Sequence, residues 1–313
     1  MVAMPWRTLF NLTNGQTNTL NAITSNGKDT SFAITENGTL ITLSLDEAPN
    51  TPVLTVRLNV DGEGNFDGTY TVEQLQAIDQ TNNRDRVDLS FRVELQDTDG
   101  DITRAAARVR INDGEDLTFT DGDIELAWNE DNIIGPVDFP VTGDVGLTAG
   151  VDAIASVVFS LTSAQQTAWD ALTSNGMDTK VIISADGQQI TLVTDDANED
   201  VVLIGTIDID GNYSFEQRLP LDQIADDDTN RLGVTVEATD TDNDTVTKDI
   251  SLVITDGMDP SSTDQNEVVD ENVILDMDAE PVSGEVDLVK GIDAVSTVRF
   301  NQSVLTDSVD QSS

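Results

Sequence analysis

Short aliphatic and β-branched runs, separated by turn residues, recur along the chain. Ile190 to Val193, Val201 to Ile209 and Leu232 to Val236 are such runs, and Ala185-Asp186-Gly187 and Asp210-Gly211-Asn212 punctuate them. A run that alternates apolar and polar positions turns one face to a core and the other to water. Many such runs, bounded by Gly, Asn and Asp, predict an antiparallel sandwich. One segment, Ser163 to Leu172, reads instead as a short helix.

The pattern repeats. Phe10 to Gly27 (FNLTNGQTNTLNAITSNG) matches Phe159 to Gly176 (FSLTSAQQTAWDALTSNG) at an offset of 149. From Tyr70 the offset falls to 143, pairing Tyr70 with Tyr213 and Asp79 with Asp222. The difference of six places a loop insertion in the first copy, between Gly27 and Tyr70. The same offset of 143 aligns VELQDTDGD, from Val93, with VEATDTDND, from Val236, and Ile111–Gly114 with Ile254–Gly257. Glu130 to Val145 matches Glu271 to Val286 at 141, and Gly150 to Phe159 matches Gly291 to Phe300. Residues 1–114 are thus read as the later part of one repeat, 115–257 as a complete second repeat, and 258–313 as the opening of a third. The expected fold is all-β: tandem Ig-like sandwich repeats strung end to end.

Composition narrows the chemistry. There are 59 acidic residues against 15 Lys plus Arg, a net charge of −44, and neither His nor Cys. Disulfides, thiol nucleophiles, thiolate metal sites and His-based acid–base catalysis are excluded. Nucleic acid is excluded as a partner, because phosphate binding requires clustered Lys and Arg. No segment approaches the roughly 20 apolar residues that span a bilayer, so no membrane insertion is expected. Aromatic residues make up only 4% of the chain, which predicts aliphatic cores with Trp6, Trp128 and Trp169 as packing residues. The charge itself is self-repelling and calls for screening by salt or bound cations.

Two acidic clusters occupy equivalent places: Asp97-Thr98-Asp99-Gly100-Asp101 and Asp240-Thr241-Asp242-Asn243-Asp244. Carboxylates at alternate positions of a turn repel one another unless a cation sits among them, and Ca²⁺ takes six to eight oxygens from flexible loops. An acidic, solvated hairpin tip is the plain alternative. The clusters are not EF-hands, since Ile102 and Arg108 stand where that loop needs Gly and Glu. Asp113 and Asp256 close successive units, and Glu130 and Glu271 open the units that follow. At the first junction Asp97, Asp99, Asp101, Asp113 and Glu130 are expected to share an ion, and Asp240, Asp242, Asp244, Asp256 and Glu271 are their counterparts.

Along the repeat the features follow in order: an opening Glu, Pro-Val-x-Gly, Gly-x-Asp-Ala ending in Phe, Leu- or Ile-Thr-Ser-Asn-Gly, Tyr, Leu-Asp or Ile-Asp, Asp-Thr-Asp-x-Asp and a closing Asp-Gly; the second unit holds all of them, the first the later ones and the third the opening ones. This succession resembles the type I secretion repeat of giant bacterial RTX adhesins, a family named for a repeat length that matches the offset of 143. The resemblance implies Ig-like, cadherin-like extender domains at the bacterial cell surface, stiffened by Ca²⁺ and making no catalytic contribution. It implies neighbouring repeats and calcium ions as partners, with the adhesive ligand bound by regions outside this sequence. A glycan-binding module on the same sandwich is the alternative reading, with the insertion before Tyr70 as its host. A carboxylate-based hydrolase is a third, for which no constellation stands out.

Overall fold

The computed structural model describes residues 7–61, 65–80, 85–134, 140–223, 228–263, 265, 267 and 283–299. Trp6 and Glu271 lie outside them. Two separate apolar cores organise the chain, one built from Phe10 to Ile111 and the other from Leu117 to Ile254.

In the middle unit one sheet has the strand order Ile124–Asn129, Thr245–Thr255, Thr229–Asp240, Ile154–Ser160. Its first pair is parallel, with Ile124 opposite Ile250 and Asn129 opposite Thr255. The next two pairs are antiparallel. The facing sheet runs Val141–Asp144, Asn212–Gln217, Val201–Ile207, Gln189–Thr194, Met177–Ile183, Thr173–Ser174. Leu192, Val234, Phe215, Leu252 and Trp169 fill the space between. Trp169 and Trp128 are buried, and each indole finds a partner: Nε1 of Trp169 donates to the Gly233 carbonyl (2.9 Å) and Nε1 of Trp128 to Gln217 Oε1 (2.7 Å). The run expected from Val201 to Ile209 stops at Ile207. Asp208 ends it by turning its carboxylate back to accept from the Asp210 and Asn212 amides.

The first unit repeats this plan. Arg7–Phe10, Arg86–Gln96 and Ile102–Asn112 form one sheet; Thr24–Ser25, Lys28–Thr35, Leu40–Leu45, Pro52–Val60 and Phe66–Gln74 form the other. Among the described residues each of these two units carries one short α-helix, Asn14–Leu20 against Arg86–Gln96 and Ser163–Asp170 against both Thr229–Asp240 and Met177–Ile183. Both start on a reciprocal cap in which Thr13 or Thr162 accepts from the third helical amide while Gln16 or Gln165 reaches back. The extra six residues of the first unit fall in the hairpin Pro52–Val60/Phe66–Gln74. Leu58 lies opposite Tyr70 as Ile207 lies opposite Tyr213, with eleven residues between the first pair and five between the second.

After residue 257 the chain repeats the opening of the middle unit. Ser261–Ser262 pairs with Leu288–Val289 as Thr118–Phe119 pairs with Leu147–Thr148.

Candidate metal sites at the unit junctions

The long closing hairpin of each unit decides which acids meet. Thr229–Asp240 and Thr245–Thr255 run antiparallel from Thr229 opposite Thr255 to Thr239 opposite Thr245. Eleven residues at about 3.3 Å each separate the acidic tip from Asp256, roughly 35 Å. The hairpin Arg86–Gln96/Ile102–Asn112 separates Asp97, Asp99 and Asp101 from Asp113 in the same way. The expected grouping at the first junction is therefore corrected. Asp97, Asp99 and Asp101 sit together, exposed, at the end of the first unit away from Asp113. The cluster that reaches Asp113 belongs to the following unit.

Three overlapping groups form there, each with carboxylate oxygens within 4.8 Å of one another: Asp113, Asp152 and Asp242; Asp113, Asp116 and Asp244; and Asp240, Asp242 and Asp244. Asp152 was not anticipated. It is only 6% exposed, and its Oδ1 and the Oδ1 of Asp242 are buried without a hydrogen-bond partner, as is Oε1 of Gln80 beside them. The Gln80 amide is held by donating from Nε2 to Asp113 Oδ1 (3.2 Å). None of the ion pairs among the described residues involves Asp113, Asp116, Asp152, Asp240, Asp242 or Asp244. Burial, followed by the charges of Asp242, Asp113 and Asp79, pushes the Asp152 carboxyl up to about 6. Burial and the neighbouring Asp240 push Asp242 up to about 6 as well. Asp113 and Asp244 are raised by burial and then by the acids around them. Unpaired carboxylate oxygens held out of water are costly unless protonated or bound to a cation. This donor set, all oxygen and gathered from two units, fits a hard divalent ion.

The segment Gly150-Val151-Asp152-Ala153 builds the site locally. The linker passes so close that a Cβ on Gly150 would stand 1.8 Å from the Glu115 carbonyl, so only Gly is admitted. The Val151 amide then donates to that same carbonyl (2.8 Å), which fixes Asp152 over the junction. The signal was present in the sequence: the same Gly-x-Asp-Ala recurs at Gly291.

The second junction repeats these contacts. A Cβ on Gly291 would lie 2.2 Å from the Met258 carbonyl, and the Ile292 amide donates to that carbonyl (2.9 Å). Asp293 again has a buried, unpartnered Oδ1. Burial raises Asp293, as do Asp256, Asp222 and Asp259; Asp256 is raised by burial and by Asp259. Glu130 belongs to this end, not the first, because Asn129 lies opposite Thr255. It is fully buried and accepts from the Leu221 amide (2.9 Å), Gln217 Nε2 (2.6 Å) and Gln223 Nε2 (3.3 Å). Burial pushes it up to about 7 despite those donors.

No family model and no curated protein sequence matches the chain. Among solved structures it is similar to extracellular cadherin domains of protocadherins. A mouse clustered protocadherin gamma C3 fragment, EC1-3, aligns at 12% identity over 58% of this chain and 46% of that one, with a TM-score of 0.22. The protocadherin gamma B4 extracellular domain aligns at 11% over 93% of this chain and 41% of that one, with a TM-score of 0.26. Protocadherin gamma C5 EC1-3 aligns at 14% over 72% and 65%, with a TM-score of 0.26. The chain spans less than half the length of the first two. The all-β class of tandem Ig-like sandwiches stands on the sheets themselves. Among the described residues no helix is long and apolar enough to cross a membrane.

Proposed function

We propose that this chain is a non-catalytic extender segment of a large, Ca²⁺-dependent, type I-secreted bacterial surface adhesin, in which ions at the unit junctions fix one sandwich against the next. The observation that carries the reading is the convergence of the buried, unpartnered oxygens of Asp152 and Asp242 on Asp113 of the preceding unit. Ca²⁺ takes six to eight oxygens in flexible geometry, whereas Mg²⁺ demands a tight octahedron and keeps its waters. A loop-built cluster of carboxylates with a Gln carbonyl suits the former. Without an ion, carboxylates about 4 Å apart repel by roughly 1 kcal/mol per pair in water and more when shielded from it. With an ion the same oxygens are mutual ligands. The assignment to RTX adhesins is supported by the order and period of the repeated motifs. In that setting the array holds a ligand-binding region away from the cell, and its own work is mechanical spacing.

Small-angle scattering and thermal melting in Ca²⁺, Mg²⁺ or chelator test the reading. Ca²⁺ at a hundredfold above its dissociation constant should add about 2.7 kcal/mol to the stability of the folded state. It should also fix the maximum dimension, and Mg²⁺ should do both poorly. If chelation alters neither melting nor dimension, the junction acids hold no ion and the proposal fails.

A further inference from the structure

The Ser-Asn-Gly turn that both units carry has no part in strand pairing within its own core beyond a two-residue ribbon, yet it is built with unusual care. Asn26 and Gly27 both have left-handed backbones, with φ of 50° and 72°, and Asn175 and Gly176 repeat them at 50° and 74°. Ser25 Oγ donates to the Ala77 carbonyl and Ser174 Oγ to the Pro220 carbonyl, each at 2.6 Å. The Gly27 amide donates to Asp79 Oδ2 (2.9 Å) and the Gly176 amide to Asp222 Oδ2 (2.8 Å). Held in this way, the Asn side chain projects onto the next unit. Asn26 Oδ1 accepts from the Ala153 amide and Asn175 Oδ1 from the Ala294 amide, each at 3.0 Å.

The first-junction turn touches the following unit at a second point. Thr241, between Asp240 and Asp242, donates from Oγ1 to Asp79 Oδ1 (3.4 Å), and its methyl packs where a Cβ on Gly27 would lie 3.3 Å away. The Thr241 amide in turn donates to the Ala153 carbonyl (3.0 Å). Ala153 follows Asp152, and Thr241 precedes Asp242. The two residues whose carboxylate oxygens are buried without partners are therefore each next to a residue gripped by this turn.

We infer that the Ser-Asn-Gly turn is a cation-independent latch between successive units, and that Asn26 and Asp79 are positioning residues which aim Asp152 and Asp242 into the junction. The latch itself stands on the hydrogen bonds; its effect on ion binding rests on the proposed cation site. It acts in two states. Without the ion it keeps the units in register against the repulsion of their acids. With the ion it has already fixed two of the ligands, so less order must be imposed on binding.

The test uses the full chain, in which the absence of native Cys allows Glu73→Cys in the first unit and Thr206→Cys in the middle unit, both exposed, to carry spin labels. Asn26→Gly removes the acceptor and keeps the left-handed backbone; Asn175→Gly makes the same change in the equivalent turn of the other junction, outside the labelled pair. In chelator, Asn26→Gly should broaden the distance distribution between the labels, while Asn175→Gly should match the parent. Ca²⁺ affinity of Asn26→Gly should fall about five- to tenfold, the worth of one ordinary hydrogen bond, with the number of bound ions and the melting temperature in chelator unchanged. A role in folding alone would move the melting temperature and leave the affinity. The inference is overturned if Asn26→Gly matches the parent distance distribution in chelator, or if Asn175→Gly broadens it as much. Should the parent bind no Ca²⁺, the cation reading falls and the chelator distances still decide the latch.

Discussion

The two acidic hairpin tips have nearly the same sequence and the same local geometry. Asp97 and Asp240 each receive the amide of the acid four residues on, at 2.8 Å, and each returns its own amide to that residue's carbonyl, at 3.0 and 3.1 Å. Gly100 and Asn243 supply the left-handed residue at the same point, with φ of 99° and 81°. Their surroundings differ. Asp97, Asp99 and Asp101 are exposed, whereas Asp240 is buried and Asp242 half-buried against Asp113, Asp152 and Gln80. A turn rich in Asp is thus only half of a site. The rest comes from Asp113 and Gln80 of the preceding unit and from Asp116 and Asp152 just after the junction, and the same five residues are solvated surface or candidate ligands according to what stands in front of them.

The largest effect should come from removing that neighbour. Residues 115–257 alone keep the core around Trp169 and Phe215 but lose Asp113 and Gln80, so the Asp240–Asp244 tip is left with only Asp116 and Asp152 beside it. Calorimetric Ca²⁺ affinity should drop on the order of a thousandfold, about 4 kcal/mol, while the unit still melts cooperatively. An unchanged affinity would mean that the tip binds alone and that the contrast between the two hairpins is empty.

Single substitutions should separate the tips less drastically. Asp242→Ala in the full chain should weaken junction binding by about a hundredfold, near 2.7 kcal/mol, and Asp99→Ala by less than about twofold. Equal losses would show that burial of one tip has no bearing on the ion.

The smallest effect concerns protons. Burial and neighbouring acids push Asp152 and Asp242 up to about 6, against about 3.9 in an unfolded chain. Between those values the folded state holds protons that the unfolded chain has released. Their contribution to stability is therefore complete below about pH 4 and lost as pH rises through about 6. In chelator the melting temperature should fall by a few degrees between pH 4.5 and 7.5. Asp152→Asn with Asp242→Asn should flatten part of that slope, and Asp97→Asn with Asp99→Asn should not. In saturating Ca²⁺ the slope should reverse, because protons then compete with the ion.

Much of this fold is written locally. Alternation marks the strands, Thr13 with Gln16 and Thr162 with Gln165 mark the helix starts, and the repeat offsets mark the units. What local pattern does not carry is direction along the array. Asp97 and Asp113 are close in sequence and about 35 Å apart in space, because a hairpin of eleven paired positions puts its tip and its ends at opposite poles. Glu130 misleads for the same reason: it opens the middle unit in sequence but lies at that unit's far end, beside Asp256. Asp152 was legible only as part of a repeated Gly-x-Asp-Ala, whose meaning depends on a linker carbonyl passing Gly150.

The parallel pairing of Ile124–Asn129 with Thr245–Thr255 has a consequence for a chain under tension. These are the first strand of this sheet and the last strand of the unit, so a pull on the two ends draws them in opposite directions along their common axis. The ladder from Ile124 opposite Ile250 to Asn129 opposite Thr255 is then loaded in shear, with all its hydrogen bonds resisting at once instead of parting one by one. Parallel ladders space their bonds evenly, so no single rung takes the first share of the load. A chain of such units, pulled at its ends, would yield late and abruptly.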